Sequence, residues 1–130
     1  MTDIKFILYG NPASKKNSMQ VGRNRYTGKT FVSQNKNYLE YEKDCLKQIC
    51  FNSNLMKLEP INEAVNVQCV YYRDNNRRCD LPNLINATLD VLVKGNILAD
   101  DNFKIVAGLD GSRVFIDKGN PRTEIIVTKL

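Results

Sequence analysis

Apolar residues at every second position predict a β-strand near residue 4. Ile4, Phe6 and Leu8 occupy alternate positions between residues 3 and 9, so they share one face of an extended backbone. The letters GNP at positions 10–12 are typical of a turn. We therefore expect a half-buried strand that ends in a tight turn.

A polar, basic segment follows this turn and predicts a short hairpin or an ordered loop. It spans residues 13–33 and reads ASKKNSMQVGRNRYTGKTFVS. The letters YTGK at 26–29 are typical of the turn that would join two short strands.

Apolar residues at three- and four-residue spacing then predict an amphipathic helix of about four turns. Ser33 is the expected helix cap, because its hydroxyl is suited to accept a hydrogen bond from a first-turn amide. The centre of the apolar stripe is formed by Tyr38, Tyr41, Cys45 and Ile49, and the stripe is widened by Leu39, Leu46 and Cys50.

The segment AVNVQCVYYR at 64–73 predicts a second buried-face strand. Its alternating apolar residues are Val65, Val67, Cys69 and Tyr71. A second helix is expected to begin near Pro82 and to end at Gly95, since proline is favoured in a first turn and glycine after a last one. Its core face carries Leu84, Ile85, Leu89 and Leu92, and its polar stripe carries Asn83, Asn86, Asp90 and Lys94.

Three later segments predict further strands, so the pattern as a whole indicates an α+β fold. They read FKIVAGL at 103–109, RVFID at 113–117 and TEIIVTK at 123–129. We expect one domain over residues 1–130, with two main helices packed on a largely antiparallel or mixed sheet.

The composition narrows the possible compartments and chemistries. No stretch approaches the roughly 20 apolar residues of a membrane span, and the N-terminus does not resemble a signal peptide. We expect a soluble, cytoplasmic protein without a membrane partner, whose four cysteines are free thiols. The chain contains no histidine, which excludes the histidine-dependent hydrolytic triads and leaves carboxylates with a metal, or lysine.

A formal net charge of +5 suits a polyanionic partner such as DNA. The candidate phosphate-binding residues are Lys15, Lys16, Arg23, Arg25, Arg77 and Arg78. Ordinary solvated surface charge is the alternative interpretation of each of them.

Acidic residues at the two ends of the second predicted helix are the candidate metal ligands. Asp80 precedes the helix, and Asp100 and Asp101 follow it. They meet only if the return through residues 96–99 brings the late pair beside the strand that leads to Asp80. Converging carboxylates bind Mg²⁺ or Mn²⁺, which activate water for phosphodiester hydrolysis. A helix cap at Asp80 and a turn at 100–102 are the alternatives.

Four segments carry a resemblance to a known family: GNPASKK at 10–16, RRCDLPNL at 77–84, TLDVLVKG at 88–95 and LADDNFKIV at 98–106. Their order resembles the RusA family of phage and prophage Holliday-junction resolvases. The resemblance implies a RusA-like fold and a homodimer that cuts four-way DNA junctions with Mg²⁺ or Mn²⁺ in the cytoplasm of a bacterial host. It also implies that the metal is held by Asp80 and Asp101, with Asp100 beside them.

Two positions depart from the family pattern. Pro82 stands where the family has a second early aspartate, and Asn86 stands where many relatives have a lysine. Asp100 is one candidate to replace the missing ligand, and the others are Asn83, Asp74 and Glu124. Three functions are therefore weighed: a metal-dependent junction endonuclease, a catalytically impaired branched-DNA-binding protein of the same fold, and a structural or protein-binding module.

Overall fold

The structure of the chain is a computed structural model that describes residues 3–15, 19–34 and 36–130, with the side chains of 19–22 and 30–34 left undescribed. Its elements, in chain order, are β1 (Ile4–Tyr9), β2 (Met19–Arg23), β3 (Thr30–Gln34), α1 (Lys36–Phe51), α2 (Ser53–Met56), β4 (Val65–Arg73), α3 (Leu81–Lys94), β5 (Val106–Gly108), β6 (Arg113–Ile116) and β7 (Arg122–Lys129).

The main sheet has five strands and is mixed, as expected for this α+β fold. Its order is β1-β7-β4-β5, and β6 also pairs with β4. Strand β7 lies between β1 and β4 and is antiparallel to both. The short strands β5 and β6 run parallel to β4. Strands β2 and β3 form a separate antiparallel hairpin, which confirms the hairpin alternative for this segment.

One face of the main sheet packs with α1 and α3 to form the core. The alternate residues predicted to be buried in β4 are at most 1% exposed: Val65, Val67, Cys69 and Tyr71. All four apolar residues predicted on the core face of α3 are buried in the same cluster: Leu84, Ile85, Leu89 and Leu92. The period-2 and period-3.6 patterns therefore identified both core faces.

The opposite face of the sheet carries half-buried and exposed residues. Tyr9 is 53% exposed and Phe115 is 45% exposed. The rings of Tyr72 and Phe115 stack with centroids 5.5 Å apart, and the guanidinium of Arg122 lies 3.8 Å from the centroid of the Tyr72 ring. A row of aromatic and guanidinium groups thus crosses this face.

The predictions for the first helix need two corrections. Ser33 lies in β3, and α1 begins at Lys36, so the predicted cap is wrong. Leu39 and Cys50 are exposed because they lie at the margin of the stripe, beyond the reach of the sheet. A short helix that the sequence did not predict, α2, begins after Asn52, whose side-chain oxygen accepts hydrogen bonds from two first-turn amides.

The strand predicted at 103–109 is shorter than expected. Only Val106–Gly108 forms β5, because residues 102–105 turn. The side-chain oxygen of Asn102 accepts a hydrogen bond from the amide of Lys104, and its carbonyl accepts one from the amide of Ile105. This local bonding replaces the ladder that a longer strand would need.

Candidate nuclease site

Asp80 lies at the junction between the loop after β4 and the first turn of α3. It occupies the N-cap position with an extended backbone, and its carbonyl accepts the hydrogen bond from the amide of Leu84. Its side chain makes no capping hydrogen bond and is exposed. Pro82 sits in the first turn, where its missing N–H removes no helical hydrogen bond. The Asp80 carboxylate is therefore not used to cap the helix.

Asp100 and Asp101 lie in an exposed turn beyond the other end of α3. The Asp100 carboxylate accepts hydrogen bonds from the amide of Asp101 at 2.7 Å and from the side chain of Asn102 at 3.0 Å. These two hydrogen bonds hold the pKa of Asp100 below its ordinary value, and the bond from the Asp101 amide has the larger effect. The turn therefore presents an ionised carboxylate at neutral pH.

The two acidic positions lie at opposite ends of α3. A helix of 14 residues is about 21 Å long. The segment from Leu98 runs beside the residues that precede β4, since the amide of Ala99 bonds to the carbonyl of Ile61, whereas Asp80 follows the end of β4. Within the described ranges, no group of three or more acidic, cysteine or histidine side chains lies close enough to hold a metal ion. One chain does not gather the predicted ligands, and their assignment remains a prediction.

The other candidate ligands occupy different surroundings. Asn83 is half-buried in the first turn of α3, and Asn86 is exposed one turn later. Asp74 lies in the loop after β4, where its carboxylate accepts a hydrogen bond from the side chain of Asn75. Glu124 lies in the middle of β7 and accepts a hydrogen bond from Arg122 at 2.8 Å, so that cation already engages it.

The predicted basic residues of the N-terminal part lie near the turn after β1 and in the β2–β3 hairpin. Lys15 forms an ion pair of 2.8 Å with Asp90 of α3, and this hydrogen bond raises the pKa of Lys15. Arg23 donates to the carbonyl of Gly28 within the hairpin turn, and Arg25 is exposed there. Lys16 lies outside the described residues. Lys15 is thus bound to α3 as well as being a candidate for phosphate contact.

Arg77 and Arg78 are exposed in the loop that leads directly to Asp80. Arg73, at the end of β4, donates a short hydrogen bond from its Nη1 to the carbonyl of Arg77 and so holds the loop near the strand. Arg73 was not among the predicted DNA-binding residues, because its position is typical of the last residue of a strand. Its neighbours in the motif RDNNRR were the only available signal.

A network of polar side chains joins the turn after β1, α1 and α3. The Tyr38 hydroxyl donates to Glu42 at 2.7 Å, and Lys94 donates to the other Glu42 oxygen at 2.8 Å. Burial alone would raise the pKa of Glu42, but the hydrogen bonds from Lys94 and Tyr38 lower it on balance. Together with the ion pair between Lys15 and Asp90, this network fixes the GNPASK segment against both helices.

Comparison with known protein families shows which family the chain belongs to. The family model described as endodeoxyribonuclease RusA matches residues 10–128 of the 130-residue chain. The chain belongs to the RusA family. A search of curated proteins found no significant match.

RusA membership indicates a Holliday-junction-resolving endodeoxyribonuclease and confirms the resemblance found in the sequence. It also agrees with the mixed sheet and helices of the α+β fold. In the described part of the chain, no helix has the length and apolar character needed to cross a membrane. The matched range includes both acidic ends of α3 and the arginine loop before it.

Proposed function

We propose that the chain is a metal-dependent, structure-selective endonuclease that binds four-way DNA junctions as a homodimer and cuts two opposed strands. Asp80, Asp101 and Asp100 would hold Mg²⁺ or Mn²⁺, and the bound ion would activate water and stabilise the developing phosphate charge. The context proposed is DNA recombination, repair or phage DNA processing in the cytoplasm of a bacterial host.

The observation that carries this proposal is the pair of exposed acidic positions at the two ends of α3. Asp80 makes no capping bond, and the carboxylates of Asp80, Asp100 and Asp101 are all exposed. Both positions present hard oxygen donors, which are the ligands that Mg²⁺ and Mn²⁺ prefer. The residues fit the metal in chemistry, although one chain leaves them apart.

A second copy of the chain would remedy this separation. In a two-fold dimer, a contact from residue i to residue j is repeated from j to i. If the two α3 helices run antiparallel across the axis, Asp80 of one copy lies beside the Asp100–Asp101 turn of the other, and two equivalent sites form. A four-way junction has approximate two-fold symmetry, so two such sites match its two opposed strands. Pro82 and Asn86 are exposed on the outer side of α3, where such a partner would approach.

The arginines beside Asp80 supply the DNA-binding part of the proposal. Arg77 and Arg78 are exposed within three residues of Asp80, and guanidinium groups bind phosphate oxygens in a bidentate geometry. Lys15, Lys16, Arg23 and Arg25 extend the proposed basic surface. Binding by such contacts is expected to weaken steeply as salt rises.

A catalytically impaired branched-DNA-binding protein is the second candidate function. Pro82 provides no carboxylate, Asn86 provides no cation, and the described residues of one chain contain no three-ligand cluster. This alternative predicts salt-dependent junction binding without metal-dependent nicking.

The decisive test is cleavage of a labelled four-way junction, beside linear duplex of the same sequence, with Mg²⁺, with Mn²⁺ and with chelator. Paired nicks that need metal and spare the duplex are expected. Asp80→Asn and Asp101→Asn should each abolish cleavage but retain junction binding, and Asp3→Asn, at an exposed position near β1, is the matched control. Binding without nicking under every metal condition would favour the impaired protein instead.

Mixing the two inactive variants tests the shared site. In a heterodimer of Asp80→Asn and Asp101→Asn subunits, one shared site keeps both native aspartates and the other loses both. Restored nicking of a single strand per junction is expected after subunit exchange. If each site lies within one chain, every site in the mixture has a defect, and no activity returns.

A further inference from the structure

A small polar concavity lies between the turn after β1 and the arginine loop before α3. It is lined by Asn11, Pro12, Ala13, Ser14, Asn37, Arg73, Asn75, Arg77, Arg78 and Cys79. Its volume is about 260 Å³, below the range of pockets that hold a drug-sized ligand. A hydrogen bond of 2.9 Å from the amide of Asp74 to the side chain of Asn11 joins its two walls.

The charge of this concavity has one sign. Three arginines line it, Arg73, Arg77 and Arg78, and none of its described lining residues is acidic, although Asp74 is bonded to Asn11 and Asn75 in its walls. Elsewhere, Arg122 is neutralised by Asp117 and Glu124, and Lys15 is paired with Asp90. The concavity therefore offers a concentrated positive potential suited to an anion.

Arg73 holds a donor in this region that the described residues do not satisfy. Its Nη1 donates to the carbonyl of Arg77, but its Nε is buried and has no hydrogen-bond partner there. A buried N–H without an acceptor is unfavourable and uncommon, and a bound anion or water is the usual remedy. The bond from Nη1 to the loop carbonyl orients the guanidinium at the wall of the concavity, and its remaining donors are the candidates for an anion.

We infer that this concavity binds a phosphate group of the DNA backbone, with Arg73 as its positioned donor. The identification of the ligand as DNA rests on the proposed function, whereas the binding of a phosphate anion does not. Cys79 lies in the wall of the concavity and directly precedes Asp80 in the sequence. The bound phosphate would therefore belong to the DNA strand that passes the proposed metal site. Arg73 is thus a DNA-binding residue that fixes the register of the strand.

The test follows the side-chain Nε–Hε signals of arginine by NMR on the full chain. Inorganic phosphate is titrated first, and a four-way junction next. The Arg73 signal is expected to shift in both titrations, while that of Arg113, exposed on β6, stays unchanged in phosphate. No shift of Arg73 with either probe overturns the inference, and a shift with phosphate alone restricts the site to the free anion and overturns the DNA source.

Variants then measure the contribution to binding. Arg73→Gln is expected to weaken junction binding about tenfold or more, because it removes a charge-assisted hydrogen bond, and to reduce the salt dependence of the binding constant. Arg73→Lys keeps the charge but lacks the Nε donor, so its junction affinity should lie between those of the wild type and Arg73→Gln. Arg113→Gln is the matched control, expected to change binding less than twofold. Equal effects of Arg73→Gln and Arg113→Gln would contradict the inference.

These measurements separate the inference from the proposed function. A junction that binds and shifts Arg73 but is never cut would reject the nuclease and uphold the phosphate site. A junction that is cut without any shift of the Arg73 signal would uphold the nuclease and reject the phosphate site. If Arg73→Gln unfolds, as circular dichroism would show, the wild-type titrations and Arg73→Lys still decide.

Discussion

The buried hydroxyl pair between β4 and α3 gives a stability prediction in which two similar substitutions have unequal effects. The Tyr71 and Thr88 hydroxyl oxygens lie 2.7 Å apart, and the two residues are only 1% and 5% exposed. The Thr88 hydroxyl donates its single hydrogen to the carbonyl of Leu84 at 3.0 Å. Tyr71 must therefore be the donor to Thr88. Burial also raises the pKa of Tyr71, which keeps its hydroxyl protonated.

The donor assignment determines how much stability each substitution should remove. Thr88→Val leaves the buried Tyr71 hydroxyl with only the sulfur of Cys69 as a weak hydrogen-bond partner, and a poorly satisfied buried polar group costs about 1–3 kcal/mol. We expect a loss of about 2 kcal/mol. Tyr71→Phe leaves Thr88 bonded to Leu84 and should lower the free energy of unfolding by about 1 kcal/mol. In the double variant no unsatisfied donor remains. Its loss of unfolding free energy should therefore be about 1 kcal/mol smaller than the sum of the two single losses.

Urea unfolding followed by far-ultraviolet circular dichroism measures all four proteins, at one protein concentration because a dimer would make stability concentration-dependent. In thermal melts, 1 kcal/mol should correspond to about 4 °C for a chain of this size. A larger loss of stability in Tyr71→Phe than in Thr88→Val, or a double variant whose loss equals the sum of the two, would contradict this donor assignment.

Three further predictions concern the core, the polar network and the thiols. Leu92→Ala, at a fully buried position, should lower the free energy of unfolding by about 3 kcal/mol in the same urea assay, and Leu39→Ala, 49% exposed, by less than about 0.5 kcal/mol. Burial alone would raise the pKa of Glu42, but its hydrogen bonds lower it below 4.5, so its stabilisation is complete above that value and is lost as pH falls through the lowered pKa. The stability advantage of the wild type over Glu42→Gln should therefore shrink on acidification, and an advantage independent of pH would contradict this. Burial raises the pKa of Cys69 to about 11, so a thiol reagent should label exposed Cys50 in the native protein and Cys69 only after unfolding, as peptide mass spectrometry would show.

The parts of the fold that could be predicted are those in which one face of an element is buried. In β4 and α3, burial imposes a period of 2 or 3.6 on the apolar residues, and the bounds of α3 differ from the prediction by one residue at its start. The prediction failed at Ser33 and at residues 103–105, because Ser33 and Asn102 are short polar residues that permit several local structures, and Asn102 bonds to the residues that follow it. Local pattern alone does not choose among them.

The candidate site was predictable in residue type but not in arrangement. Family motifs identified Asp80 and Asp101 as candidates, yet their separation depends on where the chain goes after α3. The bond from the amide of Ala99 to the carbonyl of Ile61 sets that path, and it joins residues with no shared motif. The unsatisfied Nε of Arg73 depends on the surroundings of a single atom, which no sequence pattern records.

The position of β7 between β1 and β4 has a consequence for how the chain reaches its fold. In the described sheet, β1 is joined to the other strands only through β7, and Ile4 pairs with Val127. During synthesis from the N-terminus, the apolar sides of β1 and β4 are both made before the strand that joins them. Pairing of such distant segments closes a large loop and slows folding. The open edges of β1 and β4 are then most exposed to aggregation in the interval before β7 is inserted.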